Sequence, residues 1–181
     1  VTYCFIGEIL MLHIILSRLV WCVVLMILQV FLFNHVHLWG YATPLCYVYF
    51  LLILPADTPR WLYILSGFLL GLFADLFSNT PGVGAASLCA VGLVTPWLLS
   101  AFAPKDRDEE ILLPSAVNME WGRFLRYALS ATFLHCALFF TLEAFSFSNW
   151  QQLLLRIVSS TLLTFLIIVV LEMIRSKDKK K

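Results

Sequence analysis

Six apolar runs separated by short turns or charged stretches constrain this chain more than anything else in it. They cover residues 16–33, 38–54, 61–77, 83–102, 123–145 and 150–174. A helix crossing the hydrocarbon layer of a bilayer needs about 20 residues, so a chain of 181 residues holds at most about six or seven of them with short connections. The runs predict an all-α integral membrane protein, a single transmembrane domain of six helices over 1–181. Its one sizeable loop is 103–122 and its basic tail is 175–181. Composition agrees, because 61% hydrophobic residues and a mean hydropathy of +0.91 lie far above the roughly 45–50% apolar fraction of soluble domains.

The boundaries follow from turn chemistry. The second run opens on Trp39, Gly40 and Tyr41, carries Pro44 in its first turns, where proline is tolerated, and stops at Pro55. The third begins after Asp57-Thr-Pro59-Arg60 and ends at Asn79-Thr-Pro81-Gly82. The fourth starts with the small residues Gly84, Ala85 and Ala86, and Pro96 predicts a kink or an end to its regular part. The first ten residues lack the basic start and the small-residue cleavage site of a signal peptide. An opening on Val1 raises the alternative of a translation start at Met11.

Six spans place both termini on one side. That side collects eleven of the twelve Lys and Arg residues, and the loops near 34–37, 78–82 and 146–149 hold none. The positive-inside rule assigns the basic side to the cytoplasm, with the tail as an anchor to anionic membrane lipids. A net charge of +1 gives no sign of a nucleic-acid partner. The five cysteines stand singly in apolar stretches and read as packing residues.

Three ionisable residues fall inside the runs toward the outer leaflet: Asp75, Glu143 and Arg156. A charge at bilayer depth costs roughly 2.5–3.5 kcal/mol even on the lenient insertion scale. Their similar depths predict that Arg156 pairs with Glu143, Asp75 or both inside the bundle. An inter-helix staple is the favoured role over a proton relay, because a carboxylate beside an arginine is held ionised. Gly67, Gly71 and Asp75 recur at steps of four, which puts the carboxylate on a small-residue face suited to close helix approach; Ala86 and Ala90 are the expected opposing surface. Gln152, Arg156, Ser160 and Thr164 form a polar stripe that should face protein. His135 shares the broad face of Glu143 and reads as a buried, satisfied histidine.

His35 and His37 lack a third ligand nearby, so no metal site is expected. No nucleophile elbow, phosphate-binding glycine loop or His-Glu-x-x-His pattern is present. The sequence therefore predicts no catalytic residues, no cofactor and no enzyme.

One ordered set of residues resembles a known family. Leu28-Gln-Val, Asn34, Gly40-Tyr-Ala-Thr-Pro44, Leu54-Pro55, Thr58-Pro-Arg60, Gly67-Phe-Leu-Leu-Gly71, the run from Asp75 through Asn79, Pro81 and Gly82, Ala85-Ala86 and Leu142-Glu-Ala-Phe-Ser-Phe147 together look like MreD, the rod shape-determining membrane protein, in its Bacteroidetes form. The likeness covers about residues 11–172. It implies a non-catalytic, multi-pass subunit of the cell-wall elongation machinery in the bacterial inner membrane, with both termini cytoplasmic. Such proteins bind MreC and help couple MreB filaments to peptidoglycan synthesis by RodA and its partner transpeptidase. The family in turn resembles the six-helix S components of energy-coupling-factor transporters. The alternative function is therefore a vitamin-binding S component, although 16–33 has bulky residues where those proteins carry an Ala-x-x-x-Ala docking face. An envelope-lipid enzyme is a more distant alternative with no nucleophile or metal set behind it.

Overall fold

The computed structural model describes residues 20–31, 42–78, 80–103, 114–144 and 149–178. Every regular element among them is a helix: α1 (Val20–Phe31), α2 (Val48–Leu52), α3 (Arg60–Ser78), α4 (Val83–Phe102), α5 (Ala116–Met119), α6 (Trp121–Ala144) and α7 (Trp150–Asp178). Four of them, α3, α4, α6 and α7, are long and apolar enough to cross a membrane. Their outer faces carry Phe68, Leu72, Leu76, Leu162 and Leu166 exposed, the side chains that a lipid solvent accepts.

Each long helix packs on the next, α3 on α4, α4 on α6 and α6 on α7, while α2 touches α3, α4 and α6. The α3–α4 hairpin turns at Gly82, whose φ of 83° lies in the left-handed region open to glycine at little cost. From there the two helices run in near backbone contact. A Cβ on Gly71 would meet Ala85 Cα at 2.5 Å, one on Gly67 would meet the Leu88 carbonyl oxygen at 2.7 Å, and one on Gly92 would meet the Tyr63 carbonyl oxygen at 2.7 Å. The surface opposite Gly67 and Gly71 is thus Gly84, Ala85 and Leu88. The expected Ala86 is exposed and Ala90 is only half-buried, so the expected register is off by one residue at the hairpin end. Regular helix continues through Pro96 to Phe102.

The run 38–54 departs most from expectation. Its described part, 42–54, is helical only over the five residues of α2, all of them buried. Pro44 supplies no N–H and disfavours helix at the residue before it, so the chain enters the bundle interior as irregular backbone. Irregular backbone at membrane depth is tolerated only where protein encloses it, and Pro44 through Leu54 is buried throughout. Of the run 16–33 the described part is the twelve-residue α1. Residues 38–41, His35, His37, Asn79, 105–110 and 179–181 lie outside the described residues.

Candidate functional site

Enclosing the 42–54 segment removes its backbone groups from water, so each needs a partner from the helices around it. Gln29 of α1 serves two of them: its Nε2 donates to the Pro44 carbonyl at 2.9 Å, and its Oε1 accepts from the Cys46 amide at 2.9 Å. From α7, the Ser160 hydroxyl accepts from the Thr43 amide and the Thr164 hydroxyl from the Leu45 amide, both at 3.0 Å. At the far end of α2, where helical carbonyls run out of partners, the Tyr63 hydroxyl donates to the Pro55 carbonyl at 2.9 Å. Tyr127 reaches the Leu52 carbonyl at 3.5 Å.

The same end of the segment is locked to α7 by a buried ion pair. Glu172 is fully enclosed and Arg175 is 6% exposed; one Nη1–Oε2 distance of 3.0 Å joins them one turn apart. Glu172 also accepts from the Tyr49 hydroxyl at 2.6 Å and from the Ala116 amide at 2.8 Å. Arg175 donates to the Tyr49 oxygen at 3.2 Å and to the Pro114 carbonyl at 3.0 Å. Two side chains of α7 therefore hold α2 and the stretch from Pro114 into α5, the point at which the chain returns from the 104–113 connection. Glu172 and Arg175 are not among the site residues that the sequence singles out. A signal is nevertheless there: the four-residue stripe of Gln152, Arg156, Ser160 and Thr164 extends through 168 to Glu172, and Arg175 follows at the i, i+3 spacing that pairs charges on a helix.

Asp75 has a different partner from the one expected. Its carboxylate accepts from the Gly84 amide at 2.8 Å, the Ala85 amide at 3.0 Å and the Thr80 hydroxyl at 3.0 Å. Gly84 and Ala85 open α4, so the acid satisfies two of that helix's four orphan donors from a neighbouring helix, and its negative charge sits at the favourable end of the macrodipole. Three bonds to an ionised acceptor offset the cost of its burial. Gly84 is required by this arrangement, because a Cβ there would stand 2.5 Å from the Asp75 oxygen.

Glu143 and Arg156 are both exposed, and the ion pairs among the described residues are Arg123–Glu120 and Arg175–Glu172. The expected Asp75–Glu143–Arg156 cluster does not form. Similar depth does not guarantee a shared facing. Rows of residues four apart drift by about 40° per step around a helix of 3.6 residues per turn. That drift turns Gln152 and Arg156 outward, both exposed, while Ser160, Thr164 and Glu172 face the interior. Arg156 lies nineteen residues from Arg175 on α7, roughly 28 Å along the axis, close to the thickness of a hydrocarbon layer. Arg156 therefore stands on the outer face of α7 and not in a buried pair.

His135 corrects another expectation. It is fully buried and packs edge-on against Tyr47, ring centroids 5.3 Å apart, and at a tilt against Phe139 at 6.2 Å, yet neither ring nitrogen has a hydrogen-bond partner among the described residues. Thr132 Oγ1, one turn away, is in the same condition.

Chemically, the interior acts as a clamp on the protein's own backbone. Among the described residues no group of three or more His, Cys, Asp or Glu side chains is placed to hold a metal ion. A cavity of about 560 Å³ opens between α1 and α3, lined by Met26, Ile27, Phe31, Leu69, Phe73 and Phe77 among others. Its hydroxyl, Ser66, already donates to the Tyr63 carbonyl at 3.1 Å. Comparison with protein-family models, with characterised proteins and with solved structures finds no match to this chain.

Proposed function

We propose that this chain is a non-catalytic scaffold of the MreD type, a multi-pass subunit of the cell-wall elongation complex in the bacterial inner membrane. In this reading it binds MreC, maintains rod shape and couples MreB filaments indirectly to RodA and its transpeptidase. The 16–33 and 38–54 runs complete six passages with both termini cytoplasmic, in an arrangement like that of S components.

The observation that carries the reading is where the buried polar groups go. Gln29, Tyr49, Tyr63, Asp75, Ser160, Thr164, Glu172 and Arg175 are engaged by the chain's own backbone or by one another, and the buried side chains left with an unpartnered polar atom among the described residues are Thr132 and His135. A vitamin-binding S component needs polar groups aimed into an accessible pocket to fix a ligand's orientation. The α1–α3 cavity instead presents apolar side chains. An interior spent on rigidity suits a protein whose work is to present a fixed surface to other membrane proteins.

Depletion of the protein in its native host, followed by microscopy and by affinity purification from solubilised membranes, tests the proposal. Rounded cells and recovery of MreC are the expected results. Rods that persist through depletion, or saturable binding of a vitamin by the purified protein, would overturn it.

A further inference from the structure

Thr132 and His135 stand one turn apart on the inward face of α6, and both are wholly enclosed. Thr132 Oγ1, His135 Nδ1 and His135 Nε2 are the buried side-chain nitrogen and oxygen atoms that lack a partner among the described residues. Native interiors keep such atoms few, and each one calls for a physical explanation. The edge-on contact of the imidazole with Tyr47 and its tilted contact with Phe139 hold the ring in place, but they leave its donor and its acceptor unused.

We infer that Thr132 and His135 form an internal hydration site in the heart of the bundle. The chemistry of the three atoms selects the guest. A neutral imidazole presents one N–H donor and one bare nitrogen acceptor, and a threonine hydroxyl presents both functions. Any guest must therefore donate and accept at once, which water does and a bare cation does not. The two ring nitrogens lie on different edges of the imidazole, so the site takes at least two waters. One bridges the threonine hydroxyl to the nearer nitrogen and another serves the second nitrogen. Buried water takes two to four polar partners, and Thr132 and His135 bring three unpartnered polar atoms; a chain of this length holds several such molecules at the usual frequency of one per about 27 residues. Tyr47, packed against the imidazole, belongs to the irregular stretch ahead of α2. The site thus sits where helix-on-helix packing is interrupted and space between regular surfaces is hardest to fill.

The test uses the full chain in lipid nanodiscs with ring-¹⁵N histidine, reading magnetisation transfer from water to the imidazole nitrogens by solid-state NMR. The His135 signal is identified by its loss in His135→Phe. The expected result is clear transfer from water to the His135 ring in the wild type, a several-fold reduction in Thr132→Val and recovery in Thr132→Ser, which keeps the hydroxyl. Absence of transfer in the wild-type protein would overturn the site. Equal transfer in the wild type and Thr132→Val would overturn the bridge. If the valine variant does not fold, the wild-type measurement alone decides whether the site is wet.

Discussion

The Tyr49 hydroxyl donates to Glu172 at 2.6 Å across 123 residues of sequence, and this bond fastens a short buried helix to the longest helix of the bundle. Tyr49→Phe removes the donor but leaves Glu172 neutralised by Arg175. The expected loss is about 1.5–3 kcal/mol, the range for hydrogen bonds to charged groups. Glu172→Gln leaves a buried guanidinium without its counter-charge and is expected to cost more, about 3–5 kcal/mol. Thermal unfolding in detergent compares them, and the double variant should cost less than the two singles together, because they share one network.

The two arginines of α7 should behave oppositely. Arg175→Gln removes a buried donor from Glu172, Tyr49 and Pro114 and is expected to destabilise by about 3–5 kcal/mol. Arg156 is exposed, so Arg156→Gln should change stability by no more than about 0.5 kcal/mol. Equal losses for the two variants would restore the buried cluster that the sequence suggests.

Asp75→Asn keeps the shape of the side chain but turns one acceptor into a donor pointed at an amide. With two backbone N–H groups and a hydroxyl converging on the carboxylate, at least one of them loses its partner, at a cost of about 1–3 kcal/mol. The variant's melting temperature, read by circular dichroism, checks this. The same loss should appear in Gly84→Ala, whose Cβ would displace the carboxylate.

Glycines separate by what lies beside them. Gly71→Ala drives a methyl group into the backbone of Ala85, while a methyl group on Gly122 would meet nothing within 4 Å. Overpacking of a tight contact costs typically about 1–3 kcal/mol, so Gly71→Ala should lower the melting temperature markedly. Gly122→Ala, near the start of α6, should be neutral or mildly stabilising through helix propensity.

Glu120 links α5 to α6 with a φ of 63°, a region where a side chain is strained. Glu120→Gly relieves that strain and gives up only an exposed 3.5 Å pair with Arg123, worth about 0–1 kcal/mol. The variant is expected to unfold at the wild-type temperature or slightly above it, whereas Glu120→Val should unfold lower.

The long helices are legible in the sequence because length and hydropathy suffice to define them, and the α3–α4 seam is legible because Gly67 and Gly71 repeat at helical spacing. Segment 38–54 misleads for the opposite reason. Its apolar run is as suitable for a buried irregular stretch as for a spanning helix, and only the satisfaction of its amides by Ser160, Thr164 and Gln29 separates the two. The α7 partners are far away in sequence. Asp75 is recognisable as a residue needing a partner, but charge patterning points to other charges, and its partners are backbone amides two residues beyond the turn. Arg156 misleads through the slow rotation of a four-residue row.

The dependence of the 42–54 segment on α7 also has a meaning in time. A ribosome delivers that segment more than a hundred residues before Ser160, Thr164, Glu172 and Arg175 emerge, roughly 5–20 s at ordinary rates of synthesis. During that interval the Leu45 amide lacks the Thr164 hydroxyl that accepts from it in the folded protein and cannot settle in hydrocarbon. Of the described helices, α7 is thus the latest made and the one that closes the interior. Chains cut short before α7 should stay accessible to quality-control proteases, however well their earlier helices have inserted.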